Sequence, residues 1–119
     1  MGPLLEQAST STRNKQVDRL LSAATGEEEQ RRGSCRFSYF ARVTLSVPGD
    51  GTRVRLTCFS RDVSEGGIGL VHHFPVIPGE VRLEVHLNGA EPATVAGTLV
   101  WCAPAGDGWY LSGVRFADS

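Results

Sequence analysis

Strict alternation of apolar and polar residues starts at Phe37 and governs most of the chain beyond it. Phe37, Tyr39, Ala41, Val43, Leu45 and Val47 occupy every second position. Successive side chains of a strand point to opposite faces, so this run predicts a strand with one apolar face. Pro48-Gly49-Asp50-Gly51 breaks it. Val54, Leu56 and Cys58 then alternate with Arg53, Arg55 and Thr57, and Val81, Leu83, Val85 and Leu87 alternate with Glu80, Arg82, Glu84 and His86. Ile68-Gly69-Leu70-Val71, residues 94–102 and Trp109–Phe116 supply further strands. Asn88-Gly89 is a hairpin signal, and Gly106-Asp107-Gly108 turns the chain once more. Six short strands with one wet face predict an antiparallel sheet, which closes into a small barrel or a sandwich.

The segment before Phe37 has a different character. Residues 1–12 are rich in Ser and Thr and are expected to be disordered. Residues 13–25 predict an amphipathic helix, because Val17, Leu20, Leu21 and Ala24 recur at i, i+3, i+4 and i+7. Thr12 or Asn14 can cap its start and Gly26 its end. A helix this short is marginal alone, so its apolar stripe must pack on the barrel or on a partner. Residues 26–36 form a linker in which Glu27-Glu28-Glu29 is followed at once by Arg31 and Arg32. The barrel domain is then 37–119.

A chain of 119 residues suits one domain with a short appendage. It lies well above the roughly 40 residues below which staples are usually needed. Its net charge of -1 supplies no global basic field to recruit nucleic acid, so any anion site must be local. Eleven of the twelve basic residues are Arg and one, Lys15, is Lys. That bias either serves bidentate recognition or reflects base composition. The three cysteines, Cys35, Cys58 and Cys102, are odd in number and contain no CxxC pair, which points to a reducing compartment. No apolar run approaches the roughly 20 residues of a membrane span, and the N-terminus lacks a signal-peptide layout. A cytoplasmic protein without membrane insertion is expected.

Two short clusters carry the chemistry. Arg31, Arg32 and Arg36 place three planar, permanently charged forks within six positions. Such forks match phosphates and the O6/N7 edge of guanine. Taken alone, the cluster reads first as a solvated charged linker. Asp62-Val63-Ser64-Glu65-Gly66-Gly67 supplies a carboxylate, a hydroxyl and two glycines. Asp62 can accept from the N1 and N2 donors of guanine, Ser64 can donate to a phosphate or base acceptor, and Gly66-Gly67 permits a positive φ or a close backbone approach. Alone, this segment is equally a simple turn in which Asp and Ser cap their own backbone.

In order and about one hairpin apart, Arg32-x-x-x-Arg36 and Asp62-x-Ser64-x-x-Gly67 resemble the RxxxR and D/NxSxxG elements of the PilZ domain family. The resemblance covers residues 31–117 and includes Ile68-Gly69-Leu70, Val100-Trp101 and Gly113-Val114-Arg115-Phe116. It implies an all-β fold, a six-stranded antiparallel barrel, here with one short N-terminal helix. It implies a non-enzymatic receptor for cyclic di-GMP. In that family pattern Arg32 and Arg36 hold phosphates and guanine Hoogsteen edges, with Arg31 beside them. Asp62 and Ser64 read a guanine, and Gly66-Gly67 lets the backbone approach. One departure is that the helix precedes the barrel, whereas many relatives carry one after the last strand.

These readings combine into an expectation of order on binding. Without nucleotide, residues 27–36 are mobile; with it, the arginines wrap the ligand against 62–67 and fix the helix, and an effector protein reads the new surface. The alternative is a PilZ-fold interaction module that does not bind the nucleotide. A barrel binding single-stranded nucleic acid is disfavoured by the near-zero charge. No cofactor or metal is expected: His72 and His73 are adjacent and point to opposite strand faces. Catalysis is not expected, since no GxSxG elbow is present. Trp101 or Trp109 beside the ligand is a secondary option.

Overall fold

The computed structural model describes residues 15–24 and 36–117. One helix, α1, covers residues 15–24. Seven strands come after it: β1 (Phe37–Ser38), β2 (Arg42–Pro48), β3 (Arg53–Val63), β4 (Gly67–His72), β5 (Gly79–Val85), β6 (Ala93–Gly106) and β7 (Trp109–Phe116). All pairings are antiparallel. The order β3-β2-β5-β6-β7-β4, with β3 also paired to β4, closes a six-stranded barrel. The seventh strand, β1, is a two-residue extension beside β2 along the same edge of β3.

Alternation decides the interior. Val43, Leu45, Cys58, Ile68, Leu70, Val81, Leu83, Val85, Leu99 and Val114 are buried, and their neighbours in sequence mostly face out. The run from Phe37 to Val47 is interrupted at 39–41. There Ser60, fully buried, replaces missing ladder bonds: its Oγ accepts from the Ala41 N–H at 2.9 Å and donates to the Tyr39 carbonyl. Its own N–H donates to the Ala41 carbonyl at 2.8 Å.

α1 packs on the barrel. Leu20 and Leu21 are fully buried within the barrel core. Each such side chain contributes about 1.5–3 kcal/mol of apolar transfer energy. Gln16 Oε1 accepts from the Thr94 N–H at 3.0 Å, and the Arg19 guanidinium donates to the Pro92 carbonyl at 3.3 Å and to the Glu91 carbonyl. They tie α1 to the connection that carries Asn88-Gly89. Val85 pairs with Ala93, so the connection runs 86–92, with the tight turn held inside it by the Ala90 N–H on the Leu87 carbonyl. The register puts the end of β3, the start of β4, the start of β6 and the end of β7 at the same barrel end as α1. Phe116 lines a cleft with Val17 of the helix.

The two histidines diverge as alternation requires. His73 is exposed, whereas His72 is 1% exposed. His72 Nδ1 lies 2.7 Å from the Phe74 carbonyl, which only accepts, so Nδ1 carries the proton and the Ser112 hydroxyl, 2.8 Å away, donates to Nε2. Burial lowers the His72 pKa, opposed by the bond to Phe74. Cys58 is interior, and burial, with a smaller contribution from Cys102, pushes its thiol up to about 12. It is a packing residue rather than a reactive thiol. Among the described residues no helix is long and apolar enough to cross a membrane, and no metal-ligand cluster forms.

Candidate functional site

The site is built on a row of paired residues that crosses the outside of the barrel. Ser38 of β1 faces Asp62 of β3, Asp62 faces Gly69 of β4, Gly69 faces Gly113 of β7, and Gly113 faces Trp101 of β6. The two glycines thus separate a carboxylate from an indole. A Cβ at Gly69 would lie 2.6 Å from Arg61 Nη2 and 2.7 Å from Asp62 Oδ1, and a Cβ at Gly113 would collide with the Trp101 ring. Glycine at both positions lets charged and aromatic side chains lie flat against the sheet. Trp101 is 43% exposed.

Arg36 and Asp62 meet although 26 residues separate them. Asp62 Oδ1 accepts from Arg36 Nη2 at 2.9 Å and from Arg36 Nε at 3.2 Å. Arg36 Nη1 reaches the Ser64 hydroxyl at 3.5 Å. The other carboxylate oxygen, Oδ2, accepts from Arg61 Nη1 at 3.3 Å. Asp62 is thus gripped by two guanidinium groups, one from each side. The pair with Arg36 is solvent-facing, and such pairs contribute little to stability, about 0–1 kcal/mol. Its value is geometric: it brings the second arginine of the first motif onto the aspartate of the second.

Asp62 stands on β3 itself rather than in a turn, and the turn is confined to 64–66. The Ser64 N–H donates to the Gly67 carbonyl at 2.8 Å, and the Ser64 hydroxyl accepts from the Gly66 N–H at 3.3 Å. Ser64 is 5% exposed, so its hydroxyl shapes the turn from within and meets the site through Arg36. The Phe116 N–H donates to the Gly66 carbonyl at 2.8 Å, which ties this turn to the residue packed beside α1. Of the two uses expected for Gly66-Gly67, a positive φ is not the one taken; among the described residues the positive-φ glycines are Gly51, Gly79, Gly89, Gly106 and Gly108. Gly67 is needed for another reason. A Cβ there would run into the Val114 carbonyl oxygen of β7. Arg31 and Arg32, the other two arginines of the first cluster, lie outside the described residues, as does Cys35.

Sequence reasoning did not single out Arg61. It is the extra residue of a bulge, since Ser60 pairs with Leu70 and Asp62 with Gly69. Bulges re-aim side chains next to functional sites. Besides Asp62, its guanidinium donates to the Leu70 carbonyl and to the Ser112 carbonyl, each at 3.3 Å, and lies 5.9 Å from the Trp101 ring centre. A register shift is invisible without pairing partners. The available signal was an arginine directly before the motif aspartate. Trp101 is at the site, whereas Trp109 lies against His73, with ring centres 3.5 Å apart and planes tilted by 33°.

The arrangement is an open, anion- and purine-compatible surface: arginines, one fixed carboxylate and one exposed indole. A family model for the PilZ domain matches residues 30–119, which spans both motifs and the whole barrel. No curated protein matches the chain. Domains of this family are in general non-enzymatic receptor modules for cyclic di-GMP. With a closed six-stranded barrel, the Arg36–Asp62 juxtaposition and this match over most of its length, the chain belongs to the PilZ domain family.

Proposed function

We propose that this chain is a cyclic di-GMP receptor that acts as an adaptor, converting nucleotide binding into a changed helix–barrel arrangement that a partner protein reads. The observation that carries the proposal is Arg36 on Asp62 beside the exposed Trp101. Asp62 accepts the N1–H and N2–H donors of one guanine. Arg36, more than half exposed, swings off the carboxylate and takes a phosphate or the Hoogsteen edge. Charge-assisted arginine–phosphate bonds are roughly twice as strong as neutral ones. Arg31 and Arg32 add two further forks from the segment that joins α1 to Arg36. Ser64, Gly66 and Gly67 shape the turn beside which Arg36 meets Asp62, and Trp101 offers a face on which a purine can stack.

The coupling to α1 is physical. The segment carrying Arg31, Arg32 and Arg36 starts at the end of α1, so arginines drawn onto the nucleotide restrain the helix. A second link runs through the Gly66 carbonyl, the Phe116 N–H and the cleft where Phe116 meets Val17. A ligand shifts such an equilibrium only by its difference in affinity for the two arrangements. Here that difference is the set of arginine contacts available when the segment wraps the nucleotide.

Isothermal calorimetry with cyclic di-GMP tests the proposal. Saturable binding is expected, with Arg36→Ala and Asp62→Ala each weakening it by about 10- to 100-fold, the value of a hydrogen bond to a charged group. Glu91→Ala should leave it unchanged. A flat titration at high micromolar ligand refutes the nucleotide reading. It would favour the second reading, a PilZ-fold interaction module. That reading has its own support in Phe40, which is 75% exposed and stacked on Phe59 with centroids 5.2 Å apart and planes 3° from parallel. Exposed aromatics of this kind suit a protein interface.

A further inference from the structure

We infer that Arg61, which belongs to neither motif, is a positioning residue that sets the discrimination for guanine by locking Asp62; the inference rests on the nucleotide reading above. Two guanidinium groups hold the Asp62 carboxylate, and they differ in how firmly they are themselves held. The Arg36 side chain is 52% exposed and, among the described residues, hydrogen-bonds to Asp62 and Ser64. The Arg61 side chain is 30% exposed and is bound at three nitrogens: Nη1 to Asp62 Oδ2, Nε to the Leu70 carbonyl and Nη2 to the Ser112 carbonyl. Leu70 and Ser112 are cross-strand partners on β4 and β7. Arg61 thus reaches from β3 across β4 to β7 as a strap on the barrel wall, with Trp101 at its far side.

Two features of the backbone make room for the strap. The bulge between Ser60 and Asp62 turns Arg61 onto the outer surface beside Asp62, although adjacent strand residues ordinarily point to opposite faces. Gly69 lies beneath the guanidinium, where a methyl group would sit 2.6 Å from Nη2 and 2.8 Å from Cζ. Arg36 is the group that leaves when nucleotide arrives, and Arg61 is the group that stays. Asp62 then keeps Oδ2 fixed and presents Oδ1 in a set plane. The N1–H and N2–H of guanine form a rigid donor pair, and a rigid acceptor recognises such a pair better than one free to rotate. Removing Arg61 frees the carboxylate to turn, and the contact most sensitive to its plane, the one to the 2-amino group, is weakened first.

Calorimetry with cyclic di-GMP and with its inosine analogue, which lacks the 2-amino group, separates this role from general charge attraction. The wild-type protein should prefer cyclic di-GMP by about 10-fold or more, as expected for one hydrogen bond to a carboxylate. In Arg61→Met the affinity for cyclic di-GMP should fall by about that factor while the affinity for the inosine analogue changes far less, so the preference collapses. Arg61→Lys keeps the charge but not the three-pronged fork, and should behave like Arg61→Met. Scanning calorimetry of Arg61→Met and Arg61→Lys, each expected to keep a Tm within a few degrees of wild type, guards against a misfolded variant. Equal weakening of both ligands, full rescue by Lys, unchanged preference in the variants, or equal affinities in the wild type would each overturn the inference. Wild-type protein that binds neither nucleotide overturns the nucleotide reading and the role of Arg61 with it.

Discussion

Two motif-region glycines, both buried and two residues apart, are expected to fail in opposite ways when a methyl group is added. Gly67 opens β4 and faces Arg115 across the β4–β7 ladder. A Cβ there is aimed at the Val114 carbonyl oxygen, with the Val114 carbonyl carbon at 3.3 Å and Arg115 Cα at 3.4 Å. All three are backbone atoms of a strand paired on both sides, so relief requires moving the ladder. Overpacking of this kind costs about 1–3 kcal/mol, and at about 4–8 °C per kcal/mol for a domain of this size Gly67→Ala should lower Tm by about 5–20 °C. At Gly69 the nearest atoms belong to the Arg61 and Asp62 side chains, which can turn away. Gly69→Ala should therefore lower Tm by less than Gly67→Ala does, since the displaced groups are side chains that can turn to water. Differential scanning calorimetry of the two variants side by side measures both. Gly67→Ala with a wild-type Tm would refute the close-approach account and return Gly67 to the role of a ligand contact alone. A Tm loss in Gly69→Ala as large as that in Gly67→Ala would refute the view that side chains, and not backbone, lie over Gly69.

The remaining predictions concern the core and its polar members. Leu20→Ala, at a fully buried helix position, should destabilise the fold by about 2–5 kcal/mol in urea titrations; a loss below about 1 kcal/mol would mean that α1 is not part of the core. Ser60→Ala removes the group that bridges the β1–β2 break, and it should cost about 1–3 kcal/mol and speed hydrogen exchange at the Ala41 amide; unchanged exchange would contradict the bridging role. His72 has a pKa in the folded state below its ordinary 6.5, so the unfolded chain takes up this proton first as pH falls. Stability should therefore drop as pH falls below 6.5 and stop responding to this group below its folded pKa, and His72→Gln should lack that component in melts across the range. Identical pH profiles for both proteins would contradict the assignment.

Much of the fold was legible in the sequence, and the parts that were not have identifiable reasons. Period-two alternation marked the strands because each barrel wall has one dry face, and Val17, Leu20, Leu21 and Ala24 marked the helix face that the core takes up. The pairing of Arg36 with Asp62 could be anticipated from the motif resemblance, since both positions are fixed in it. Arg61 could not, because its reach depends on a one-residue bulge that only the β3–β4 register reveals. Trp101 was one of two tryptophans the sequence offered for the site, and pairing decides between them, since Trp101 faces Gly113, which faces Gly69. The close approach of Gly67 to the Val114 carbonyl was not legible, because a glycine that accommodates a neighbouring strand and one that admits a ligand or a positive φ look the same in sequence. Asn88-Gly89 signalled a tight turn correctly, but the ladder resumes only at Val85–Ala93, and Pro92 has no N–H with which to extend it toward the turn.

The central claim is that cyclic di-GMP binds at Arg36 and Asp62 and that this binding is felt at α1. An NMR titration that follows backbone amides tests both halves at once. The account predicts that the amides of Asp62, Gly66, Gly67 and Phe116 and those of α1 shift together, with one common midpoint, and that Asp62→Ala moves that midpoint to about 10-fold higher ligand or beyond. Shifts confined to another face of the barrel, or a site response with no change anywhere in α1, would contradict it.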